Sequence, residues 1–225
     1  MLSEDDANLF GGKVAQAIKN VSEDYAAGDV VHENPFSGQL TGRIKETLRQ
    51  FETPRVRWQV DSASDKGRAR LRARQLTSQG TGSDETKFGA DIIICIDIAL
   101  SDYSVKKGFL VQSKRLEPGK LLDKATADDL RGQCSKMLSV TPASMVFLYS
   151  EVGVHVVPAT AVAASTSYDI YSIPTYDMGI LFKDFAMCWF GDPLIQATDP
   201  ASLERLRALA EARDALLFKG RPIVS

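Results

Sequence analysis

Asp91, Gln112 and Lys114 are the residues of this chain whose types and spacing could do chemistry together. Asp91 stands in Phe88-Gly89-Ala90-Asp91, just ahead of the apolar run Ile92-Ile93-Ile94. Gln112 and Lys114 stand in Val111-Gln112-Ser113-Lys114. Hydrolysis of a phosphodiester needs a divalent metal to polarise the phosphate and bind the attacking water. It also needs hard oxygen ligands to hold that metal, and a cation to help generate hydroxide or stabilise the developing charge. A carboxylate, an amide and an ammonium can supply the protein's share. Asp97 competes with Asp91 for the ligand role. It precedes Gln112 by 112 − 97 = 15 residues, and a tight turn centred near Ser104-Val105 would set it opposite Gln112.

The elements that must position these side chains follow from periodicity. Residues 88–99 are rich in β-branched types and predict a strand, Ser101 to Gly108 a polar turn, and Phe109 to Lys114 a second strand. On that strand Gln112 and Lys114 point to one face, because side chains alternate. The gap of 112 − 91 = 21 residues is enough for two strands and a turn. Upstream, apolar spacing predicts a helix over 5–27, weakened near its start by Gly11-Gly12, and a second from about Phe36 to Phe51. Alternation predicts strands at Val56–Val60 and over 66–74. Downstream come a helix from Asp123 to Val140 and strands at Met145–Tyr149 and Gly153–Val157. A helix over Tyr176–Phe190, interrupted near Gly179, follows. Asp199-Pro200 opens a last helix running to about Leu217.

The Gly89-Ala90-Asp91 and Gln112-Ser113-Lys114 elements, in that order of helices and strands, resemble the PD-(D/E)xK signature of restriction-endonuclease-like nucleases. The likeness is closest to the Mrr-like variant, in which glutamine replaces the acidic residue. Ala90 departs from the signature proline, and Gln112 brings no charge. The resemblance covers roughly residues 36–150 and implies an α/β fold. That fold would have a restriction-endonuclease-like core, a mixed β-sheet flanked by helices, over about 36–157 of a single domain. Residues 158–225 would be a helical C-terminal elaboration. It also implies a Mg²⁺- or Mn²⁺-dependent deoxyribonuclease acting in restriction or anti-phage defence. Asp91 would be the metal ligand and Gln112 the second ligand, through its amide oxygen. Lys114 would orient or activate the water. A further carboxylate would come from Glu33, Glu46 or Glu85. Gln133, on the helix after the hairpin, resembles a polar residue that relatives point into the site, and Lys136 suits a phosphate contact. DNA is the implied partner, with a homodimer or a defence complex as the setting. A non-catalytic nuclease-like binding module is the alternative.

Net charge is −2, so a DNA-binding surface has to be local. Lys66, Arg68, Arg70, Arg72 and Arg74 form such a strip, with the four arginines on alternate residues of a strand. Cationic protection of an edge strand is the other reading of the same strip. Cys95, Cys134 and Cys188 lack disulfide or zinc spacing and read as small buried hydrophobes in a reducing compartment. His32 and His155 have no ligand-spaced partner. The acidic start lacks a signal peptide's basic and apolar regions, and no run is long enough to span a bilayer, so the expected location is cytoplasmic.

Overall fold

A computed structural model of the chain describes residues 2–27, 33–49, 51, 69–77, 88–100 and 103–222, with backbone alone at 33–37, 69–72 and 76–77. The expected strand at Val56–Val60 lies outside the described residues. The helices are α1 (Glu4–Ala26), α2 (Glu33–Thr47), α3 (Lys124–Val140), α4 (Ala159–Ala164), α5 (Met178–Ala186) and α6 (Pro200–Ala210). The strands are β1 (Ala69–Thr77), β2 (Ile92–Leu100), β3 (Tyr103–Arg115), β4 (Ser144–Ser150), β5 (Gly153–Pro158) and β6 (Asp214–Pro222). They form one six-stranded mixed sheet in the order β1-β6-β2-β3-β4-β5.

The sheet is buried on both faces, which makes the chain an α/β protein of three layers. Side chains alternate between two cores. Ile92, Ile94, Ile96, Phe109, Val111, Phe147 and Phe218 pack with α1, α2 and α5. Ile93, Cys95, Leu110, Val146, Leu148, Ala215 and Leu217 pack with α3, α4 and α6. Phe109 anchors the first core edge-on, with ring centroids 4.9 Å from Phe185 and 6.0 Å from Phe182. Parallel β3 and β4 need a crossover, and α3 supplies it. Asp123 caps α3 by accepting from the Thr126 amide.

Three expectations are corrected. The last helix stops at Ala210, where Glu211 turns into the left-handed conformation (φ 56°), and residues 214–222 become β6 between β1 and β2. The polar turn expected over Ser101–Gly108 is largely strand, since β3 begins at Tyr103, which pairs with Leu100. The helix expected over Tyr176–Phe190 is confined to α5, with Gly179 in its first turn. Gly11, read as a weakness, lies inside α1 for a packing reason. A Cβ there would sit 2.2 Å from the Gly179 carbonyl oxygen, so this glycine lets α1 and α5 touch through their backbones.

Two cysteines match the expected burial and the third does not. Burial pushes the Cys95 and Cys134 thiols up to about 12, whereas Cys188 is exposed, with Sγ 2.6 Å from the Tyr103 hydroxyl. Thiolate is the reactive form, so a thiol held that high is inert near pH 8. Alkylation of the folded protein with iodoacetamide at pH 8 should label Cys188 alone, with Cys95 and Cys134 labelled after unfolding. Mass spectrometry of the peptides reads this directly.

Candidate active site

The site lies where three neighbouring strands bring their ends together. Antiparallel pairing of Ile92 with Val111 and of Ile93 with Leu110 carries the ladder on to Asp91 and Gln112. The Asp91 amide donates to the Val111 carbonyl at 2.9 Å. On the other side β6 runs parallel to β2, with Asp214 beside Ile92, and the Asp214 amide donates to the Asp91 carbonyl at 2.9 Å. Asp91 is therefore gripped through its backbone by both neighbours.

Its approach is shaped by Gly89. That residue adopts φ +68°, which favours glycine, and a Cβ on it would fall 2.5 Å from the Gln133 carbonyl oxygen. The segment before Asp91 thus lies directly against the backbone of α3. This contact also brings Gln133 to the site's border, where its Oε1 is buried with no hydrogen-bond partner among the described residues.

Asp91 is 6% exposed, and its two carboxylate oxygens have different surroundings. Oδ2 accepts from Gln112 Nε2 at 2.8 Å, from the Ser113 amide at 3.0 Å and from Ser113 Oγ at 2.8 Å. Oδ1 lies 3.8 Å from Arg213 Nη2, a charge contact beyond hydrogen-bonding reach. Gln112, itself buried, also donates to the Ser113 carbonyl at 3.2 Å. With Nε2 spent on these two acceptors, Oε1 is the group's remaining acceptor. Lys114 is half-buried two residues further on, on Gln112's face of β3 by alternation.

Asp97 does not join this group. It pairs with Lys106, several residues along β2, and its buried carboxylate bonds to Arg221. Lys136 is exposed on α3. Arg74 is exposed on β1, the first strand of the sheet. Ala73 belongs to the α1-side core, so alternation sets Arg74 on the opposite face, the one carrying Gln112. Strand β6 separates it from β2. Arg70 and Arg72 pair in register with Arg221 and Lys219, their side chains lying outside the described residues, as do Lys66, Arg68 and Glu85 altogether. Glu33 opens α2, with its side chain outside the described residues, and Glu46 is exposed near that helix's end, 3.6 Å from Arg49.

Arg213 and the structural part played by Ser113 were missed in the sequence. The signal for Arg213 was the polar break Glu211-Ala212-Arg213-Asp214 before Ala215-Leu216-Leu217-Phe218, which marks a new buried strand rather than more helix.

The donor chemistry fits a hard divalent cation. Asp91 Oδ1 is free of the Gln112 and Ser113 hydrogen bonds, whereas Gln112, expected to offer its amide oxygen, turns its Nε2 donor to the carboxylate. Mg²⁺ is commonly held by one or two protein carboxylates, with water and substrate phosphate filling the shell. Among the described residues no group of three or more His, Cys, Asp or Glu gathers to hold a metal ion by protein atoms alone. Among the same residues no helix is long and apolar enough to cross a membrane. No family model matches the chain, and no curated protein or solved structure matches it.

Proposed function

We propose that the chain is a Mg²⁺-dependent endonuclease that hydrolyses DNA phosphodiester bonds at Asp91, Gln112 and Lys114. The observation that supports this reading is the 2.8 Å contact between Asp91 and Gln112 across β2 and β3, with Lys114 next on Gln112's face. Asp91 Oδ1 and Gln112 Oε1 would hold the ion. A bound Mg²⁺ supplies charge stabilisation to the phosphate and acidity to a coordinated water. The chain's own residues supply the rest. Ser113 and the Gln112 amide fix the carboxylate through Oδ2, so its orientation is set before substrate arrives. The Lys114 ammonium donates to the attacking water and to a non-bridging oxygen as negative charge builds there. Water's oxygen would form a bond to phosphorus as its proton passes to solvent, and the bridging P–O bond would break, the departing oxygen taking a proton from solvent to leave as a hydroxyl. Cutting a duplex takes two such centres, hence a homodimer.

A second reading rests on a specific observation. Oδ2 accepts three hydrogen bonds while Oδ1 faces Arg213, and this arrangement holds a buried carboxylate without any cation. It favours a DNA-binding module that does not cut.

Plasmid cleavage in Mg²⁺ separates the two. Lys114→Ala should slow nicking by about a hundredfold, the usual effect of losing one positioned donor to transition-state charge. Equal rates in wild type and variant would remove Lys114 from the chemistry. Duplex binding by a wild type that does not cut would favour the module.

A further inference from the structure

We propose that Arg213 is a phosphate ligand of the same centre, placed to contact a non-bridging oxygen of a DNA phosphodiester; this rests on the reading of the Asp91 site as one that acts on DNA. Arg213 precedes β6 and stands next to Asp91, because Asp214 pairs with Ile92. Its Nη1 is buried and has no hydrogen-bond partner among the described residues. Its Nη2 is 3.8 Å from Asp91 Oδ1.

A guanidinium is a planar fork that matches two oxygens of one anion. Asp91 cannot offer both of its oxygens, since Oδ2 is committed to Gln112 and Ser113. Nη1 is closed off by protein atoms, so a phosphate oxygen is met by the part of the side chain that stays open, which is 31% exposed. A phosphodiester's non-bridging oxygens carry the charge that such a group attracts, and the guanidinium is held ready for them. The Ala212 carbonyl accepts from Arg207 Nη1 at 3.0 Å, and the Asp214 amide is tied to Asp91, so the backbone on both sides of Arg213 is fixed.

The strand order β6-β2-β3 adds the decisive geometry. Arg213 enters from the β6 side of Asp91, and Lys114 follows Gln112 on the β3 side. A phosphate lying over Asp91 meets a cation from each neighbour, which offsets the repulsion a lone carboxylate would impose.

The test is binding of a labelled DNA duplex in EDTA and in Ca²⁺ across a salt series, with Arg213→Met, Arg213→Lys and wild type. Arg213→Met should weaken binding about tenfold and lower the slope of log K against log salt by about one unit, as expected for one phosphate contact. Arg213→Lys should restore the slope while recovering only part of the affinity, because it keeps the charge and loses the guanidinium's directed donors. Wild-type affinity and slope in Arg213→Met would overturn the proposal, and a lowered melting midpoint alongside would make Arg213 a structural counter-ion of Asp91. Weakened binding in Arg213→Met, from a wild type that never cuts in Mg²⁺, would sink the hydrolytic reading and keep the phosphate ligand. Undiminished binding and cutting by Arg213→Met, with cutting lost in Lys114→Ala, would do the reverse.

Discussion

Asp91→Ala is expected to reduce Mg²⁺-dependent DNA cleavage by about a thousandfold or more, and to destabilise the protein as well. The catalytic part follows from losing the one carboxylate that the described residues place beside Gln112. A metal ion's transition-state stabilisation of several kcal/mol, here taken as about 4, corresponds to about three orders of magnitude in rate. The stability part follows from Oδ2. Its removal strands the Ser113 N–H and hydroxyl and leaves the Gln112 amide with only the Ser113 carbonyl, all of them buried. Unsatisfied buried donors cost about 1–3 kcal/mol each, so a loss of roughly 3 kcal/mol is expected even after local relaxation. Asp91→Asn separates the two effects. Its amide oxygen can still accept from Ser113 and Gln112, so the fold should survive within about 1 kcal/mol, yet the negative charge a cation needs is gone. Denaturant melts and plasmid nicking on both variants read this. An Asn variant that cuts at the wild-type rate would remove Asp91 from catalysis.

Gly89→Ala should be nearly as damaging, although glycine has no chemistry of its own. Two costs combine. An L-residue at φ +68° pays about 1–2 kcal/mol. The added Cβ would also stand 2.5 Å from the Gln133 carbonyl oxygen and 3.0 Å from its carbon, both backbone atoms of α3 that cannot rotate away. Either α3 retreats or the Gly89–Asp91 segment shifts, and the carboxylate moves with it. A total of about 3 kcal/mol and a cleavage loss of at least tenfold are expected. Gly119→Ala is the control, since it has φ +77° but nothing within 4 Å of an added Cβ. It should show the conformational cost alone, with cleavage unchanged. Equal stability losses in the two variants would mean that the contact with α3 contributes nothing.

The hairpin was readable because its signal is local. Ile92 to Ile98 is β-branched at five of seven positions, and a 21-residue gap closed by a short turn leaves Asp91 and Gln112 opposite one another. The turn itself was misplaced because Tyr103–Gly108 is polar enough to read as loop, although β3 already passes through it. Strand β6 was hidden for a different reason. Ala215 to Phe218 is buried on both faces, so it shows no alternation, and its leucines continue the rhythm set by Leu203, Leu206 and Leu209 of α6. With β6 unseen, Arg213 had no visible route to Asp91, since strand neighbours distant in sequence leave no periodic trace. Gly89 and Gly11 were visible as letters, but their reasons are backbone contacts with α3 and α5.

The place of β6 also governs how the molecule can be made. β1 pairs with β6 from Ala69↔Pro222 to Thr77↔Asp214, and β6 pairs with β2. A nascent chain emerging from the ribosome therefore holds β1 without this partner until residue 222 is free. During that interval β1 and one edge of β2 are open templates for wrong pairing. High contact order slows such closures. Assembly of the sheet around Asp91 thus waits for β6, and until then those two edges are where wrong pairing can start.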